Sequence, residues 1–118
     1  MSEETQTYQA KTTTETLSLT ASAFLKYEAT PATRVQVPAT KGTKIGQLVQ
    51  YALANNVRFV ALTDEKDGKV MIQPLNCVMD TRHIATEEIT QAGGYEILVK
   101  AWLTYGVAVD GADSRQTA

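Results

Sequence analysis

A chain of 118 residues, 43% apolar and 20% charged, is long enough for one domain that buries roughly two-thirds of its unfolded surface, and too apolar to be disordered throughout. Its net charge of −2, with Lys and Arg scattered along the chain, argues against a nucleic-acid-binding surface, which needs a basic patch. A single cysteine, Cys77, excludes an intrachain disulfide and a multi-cysteine zinc site within one chain.

The first residues, Met1-Ser2-Glu3-Glu4-Thr5-Gln6-Thr7, have neither the basic nor the apolar region of a signal peptide, so synthesis in a reducing cytoplasm is expected. Seven of the first twenty residues are Thr, and only Tyr8 and Ala10 are apolar between residues 2 and 16. So little apolar surface does not offset an ordering entropy of about 1–2 kcal/mol per residue. Residues 1–14 are therefore read as a flexible arm, disordered in the free chain, although a frayed terminus gives the same composition. The branched Cβ of Thr favours extended backbone, which suits the arm to becoming a strand against another surface.

A domain is expected over residues 15–110. Leu17 and Leu19 alternate with Ser18 and Thr20, a short period-two strand signal. Val35 and Val37 alternate with Arg34 and Gln36 in the same way, and Pro31 and Pro38 confine this piece to an edge or a short strand. Residues 43–56 carry two patterns. Ile45, Leu48, Val49, Ala52 and Leu53 fall at helical spacing, with Asn55 as a C-cap. With period two, Val49, Tyr51 and Leu53 share a face, and Asn55-Asn56 turns the chain into a second strand over 57–62. The strand-and-hairpin reading is preferred.

Next comes Leu62-Thr-Asp-Glu-Lys-Asp-Gly-Lys-Val-Met71, with three carboxylates in four residues. An EF-hand loop starting at Asp64 would need oxygen ligands where Lys66 and Gly68 stand and a Glu where Leu75 stands, so calcium is not expected. A hairpin turn accounts for it better. Lys66-Asp67 would form the centre of a type I turn, with Gly68 in a G1 bulge. That register sets Glu65 against Lys69, Leu62 against Ile72 and Phe59 against Leu75; a two-residue Asp-Gly turn would place Lys66 against Lys69.

Cys77, Asp80 and His83 are three apart, but one Cys and one His fall short of a structural zinc site. A Cys–His nucleophile would also need an orienting group and an oxyanion site. The expectation is a buried Cys in a strand and a surface His, with no catalytic residue, metal or cofactor. Glu87 to Gln91 is expected to form one helical turn stopped by Gly93-Gly94, which lacks the companions of a phosphate loop. Tyr95 to Val109 is β-rich in composition and bends at Gly106. The apolar-rich run over 97–109 contains Lys100 and is shorter than the ~20 residues a membrane span needs. Tyr95, Trp102 and Tyr105 interleave with Leu98, Val99 and Leu103, as core or subunit-interface aromatics do. Residues 111–118 read as a loose tail. The fold class is mainly β, a small barrel- or sandwich-like domain with one or two short helices.

This order of segments is a Thr-rich arm, short strands, Leu48-Val49 and a turn, Arg58-Phe-Val-Ala61, the turn ending Asp67-Gly68, Val70-Met-Ile72, and Ile97-Leu-Val-Lys100 through Trp102-Leu-Thr-Tyr-Gly106. Over roughly residues 12–109 it resembles the small head decoration (capsid cement) proteins of tailed bacteriophages, the lambda type in particular, without the Gly/Pro-rich segment that follows their arm. The resemblance implies a non-enzymatic virion protein on the outside of the expanded head, bridging major capsid protein subunits as a homo-oligomer, trimer or dimer. It also implies an N-terminal arm that orders on the shell by adding a strand, with Thr12, Thr13, Thr14, Leu17 and Leu19 at the corresponding positions. A tail or baseplate component, or a β-module for a small ligand, is the competing expectation.

Overall fold

The computed structural model describes residues 20–110, 113 and 115. The positions expected to form the arm and first strand, including Thr12, Thr13, Thr14, Leu17 and Leu19, lie outside them.

The described chain is mainly β, with seven short strands and two α-helices. The strands are β1 (Leu25–Glu28), β2 (Val35–Pro38), β3 (Leu48–Tyr51), β4 (Val57–Val60), β5 (Lys69–Ile72), β6 (Cys77–Met79) and β7 (Val107–Val109); the helices are α1 (Thr86–Gln91) and α2 (Tyr95–Thr104). They form three small sheets, ordered β1-β6-β7, β2-β5 and β3-β4, and none closes into a barrel. β6 and β7 run parallel, and the other neighbours run antiparallel.

β2 occupies the Val35 to Pro38 stretch, at the edge its prolines predict. The preferred hairpin over 43–62 forms, with Val49 opposite Phe59 and Tyr51 opposite Val57. Asn55 and Asn56 both take positive φ, 57° and 62°, a region Asn tolerates better than most residues. Leu53 does not share the inner face expected of it, because the chain leaves the strand at Ala52 for a 3-10 turn and holds Leu53 out in solvent.

Two further expectations fail. Residues 95–104 form a helix, not a strand. Parallel β6 and β7 require a crossover between them, and α1 and α2 supply it. The aromatic and branched residues of this segment satisfy a helical period as well. Leu98 and Trp102, four apart, are buried, while Glu96, Lys100 and Thr104 face water. The expected helical turn at Glu87 to Gln91 is present as α1, ending before Gly93-Gly94.

The acidic turn also takes the other register. Lys66 stands opposite Lys69, exchanging backbone bonds of 2.9 and 3.1 Å, and Asp67 and Gly68 have φ of 55° and 78°, a two-residue type I′ turn. Glu65 is thus not paired with Lys69. Its carboxylate accepts the Gly68 N–H at 2.6 Å and the Gly42 N–H at 3.1 Å, and such charge-assisted bonds exceed an exposed ion pair in strength. Leu62 donates to the Met71 carbonyl and does not face Ile72. Phe59 pairs with Val49, not Leu75, because β4 belongs with β3 while β5 belongs with β2.

The core gathers Phe24, Phe59, Val60, Val70, Ile72, Met79, Leu98, Trp102 and Val107, each at most 2% exposed. Phe24 packs on Gly46, where a Cβ would lie 2.6 Å from the Phe24 ring at φ +93°. Gly68 also has positive φ but opens to solvent. Gly46→Ala therefore adds overpacking of about 1–3 kcal/mol to the backbone strain of about 1–2 kcal/mol that both positions share. Urea unfolding should show Gly46→Ala destabilising clearly more than Gly68→Ala; equal losses would show that Phe24 yields freely.

Candidate functional site

The carboxylates and the Cys–His segment are committed to structure. Asp64 accepts the Ile45 N–H at 2.9 Å, so with Glu65 it ties the 40–46 loop to the acidic turn. Cys77 is 3% exposed in β6, and burial, aided by the Glu28 charge, pushes its thiol up to about 11, which keeps it protonated and unreactive near neutral pH. His83 lies on an exposed turn with its ring edge-on to Phe24. Among the described residues, no three His, Cys, Asp or Glu side chains are placed to hold a metal ion.

The three candidate aromatics lie on or just beyond α2. Trp102 is fully buried, and its indole N–H donates to the Arg58 carbonyl at 2.7 Å. Tyr105 meets Phe59 edge-on at 6.0 Å, and its hydroxyl accepts from Asn55 at 3.2 Å. Tyr95 shares a hydroxyl bond of 2.9 Å with Thr81. They anchor the helix to three different segments and do not converge on a ligand cavity.

Two polar constellations were not legible in the sequence. In the first, fully buried Gln73 donates to Glu28 at 2.7 Å and to the Thr30 carbonyl at 3.1 Å, and accepts from Thr33 at 2.8 Å. Arg34 closes the network on Glu28 and holds that carboxyl below its ordinary range.

The second is built twice from the pattern Asp-x-Arg. Asp80, 1% exposed, accepts the Arg82 backbone N–H at 2.9 Å and its guanidinium at 2.6 Å. Asp113, 5% exposed, receives Arg115 in the same manner, at 2.9 Å from the backbone and 2.7 Å from the guanidinium, and also the Thr81 hydroxyl at 2.7 Å. Arg115 then donates to the Ile84 and Thr81 carbonyls at 2.7 and 2.6 Å. Within the tail expected to be loose, Asp113 and Arg115 are thus docked against the start of α1. Their guanidinium partners hold both carboxyls low, Asp80 down to about 2 and Asp113 lower still.

A groove of about 870 Å³ lies between β2 and β3. Ala39 donates to Gly68 in the register that sets Val37 against Val70, so odd residues of β2 point their backbone at β5, while Gln36 and Pro38 point theirs outward. By the same alternation Leu48 and Gln50 point away from β4, since Ala61 donates to Gln47 in the Val49–Phe59 register. Both outward edges line the groove. Glu88 of α1 caps one end by accepting the Leu48 N–H at 2.8 Å. The outward N–H groups of Gln36 and Gln50 have no ladder partner among the described residues, and Leu53, 86% exposed, stands at the rim. An exposed strand edge offers main-chain bonds to any extended chain laid beside it.

Two outcomes test the Asp-x-Arg pairs. Arg115→Ala leaves Asp113 buried without its cation and should cost about 3 kcal/mol, whereas the double substitution Asp113→Ala with Arg115→Ala should cost no more than the single one; an additive double loss in urea unfolding would contradict the pairing. Asp80 falls from 3.8 to about 2 on folding, so its contribution is present above pH ~4 and is lost as pH drops toward ~2. Acid unfolding of Asp80→Asn should therefore lack about 1–2 kcal/mol of the wild-type loss across that window; identical acid profiles would rule this out. In comparisons with protein-family models, curated proteins and solved structures, nothing matched this chain.

Proposed function

We propose that this chain is a non-enzymatic virion structural protein that binds the exterior of an expanded phage head and bridges neighbouring major capsid protein subunits. The observation that carries the reading is the pair of open strand edges on one groove of a small β domain, in a chain whose first residues are rich in Thr. Both features suit attachment by strand addition, in which main-chain bonds supply affinity. The order of segments, which resembles that of head decoration proteins, gives the partner.

In this reading the arm, with Thr12, Thr13, Thr14, Leu17 and Leu19, pairs with the shell protein. Ordering ten residues costs roughly 10–20 kcal/mol, so the arm settles only where a partner edge offsets that cost. Repetition over a symmetric shell then raises modest contacts to stable attachment. A trimer or dimer on the shell would use the half-buried Tyr95 and Tyr105 and the outer side of α2, where Ile97 and Leu103 are 60% and 58% exposed.

The test mixes expanded, undecorated heads with the full-length protein and with a version lacking residues 2–14. Full-length protein should bind, and the truncated form should bind at least tenfold more weakly. If neither binds the reading fails, and equal binding removes the role of the arm. Selective binding to tails instead of heads would favour a tail or baseplate component.

A further inference from the structure

We infer that the β2–β3 groove is a second attachment point, which takes up an extended, uncharged segment of the shell protein as an added strand. The inference rests on the reading above. A protein that bridges two subunits needs two points of attachment, and the arm supplies only one.

The groove has the chemistry for the other. β3 is four residues long, about 13 Å of edge, which matches a short added strand. Gln50 offers an outward N–H and C=O on β3, and Gln36 offers the same on β2. An inserted segment can therefore bond to the edge it lies against. Pro38 has no N–H to give, so pairing on the β2 side ends there. On the β3 side Glu88 already holds the Leu48 N–H, which leaves Gln50 as the central donor.

The lining selects the occupant. Gln36, Gln47, Gln50 and Gln91 present neutral amides, and the two charged side chains are Arg58 and the capping Glu88. A strongly charged segment would find few counter-charges there, whereas a strand rich in hydroxyl, amide and small apolar side chains loses little on entry. Leu53 at the rim adds an exposed apolar side chain, whose removal from water by an incoming strand is favourable.

The probe is a preparation of expanded, undecorated heads. Leu53→Ser, on a side chain already in solvent, leaves the fold intact, and Gln36→Lys with Gln50→Lys places charge on both edges without touching the core. Each variant should melt as the wild type does and bind heads at least tenfold more weakly, while Ala32→Lys, at an exposed position neither on α2 nor in the groove lining, should bind normally. Hydrogen exchange gives the direct readout: the Gln36 and Gln50 amides should exchange freely in the free protein and become protected on heads. Wild-type binding with unchanged exchange at both amides would overturn the inference and leave the proposed function standing. Protection that appears in concentrated protein without heads would assign the groove to a second copy of this chain. Failure of the wild type to bind heads would remove both claims together.

Discussion

Short strands leave backbone groups without partners, and this constraint shapes the molecule. No sheet among the described residues has more than three strands, so most strands are edges, and an N–H that lacks a ladder partner bonds to a side chain or to water. Carboxylates and amides fill that need repeatedly. Asp64 takes the Ile45 N–H, Glu65 takes those of Gly42 and Gly68, Glu88 takes that of Leu48, and Gln73 takes that of Leu75 while donating to the Thr30 carbonyl. The acidic side chains that look chemical in the sequence are the fasteners of an under-paired β framework.

The same accounting locates the groove. Where a side chain caps an edge, the edge is finished; where none does, it remains available to another chain. Gln36 and Gln50 mark the unfinished stretch. It borders a core that holds its position firmly, since Phe59 of β4 lies between Tyr51 and Tyr105 and Trp102 ties α2 to Arg58. A rigid edge beside a fixed core gives an incoming strand a preorganised partner, which reduces the ordering cost to that of the incoming strand alone.

Local signals proved legible where one short segment decided the outcome. Alternation at Val35 and Val37 with flanking prolines located β2 and its edge position, and Asn55-Asn56 marked the β3–β4 hairpin. The register at Asp67-Gly68 does not follow from the cross-strand charge pair, because the Gly42 and Gly68 amides, which only the folded loop brings to Glu65, decide it. Helix α2 is hidden in the sequence because Tyr95 to Val109 has β-rich composition while its apolar spacing also fits a helix; what decides is the parallel pairing of β6 and β7, a long-range fact. The groove was half legible. Pro38 signalled an edge, but residues 36–40 and 47–53 share a wall only after folding.

A density map of expanded heads saturated with this protein, at a resolution that traces backbone, tests the central claim most directly. The account predicts continuous density for residues 12–19 paired with one shell subunit, and a strand from another shell subunit lying along Gln50 in the β2–β3 groove. Decorated heads in which the groove is empty and the arm makes no strand with the shell would contradict it.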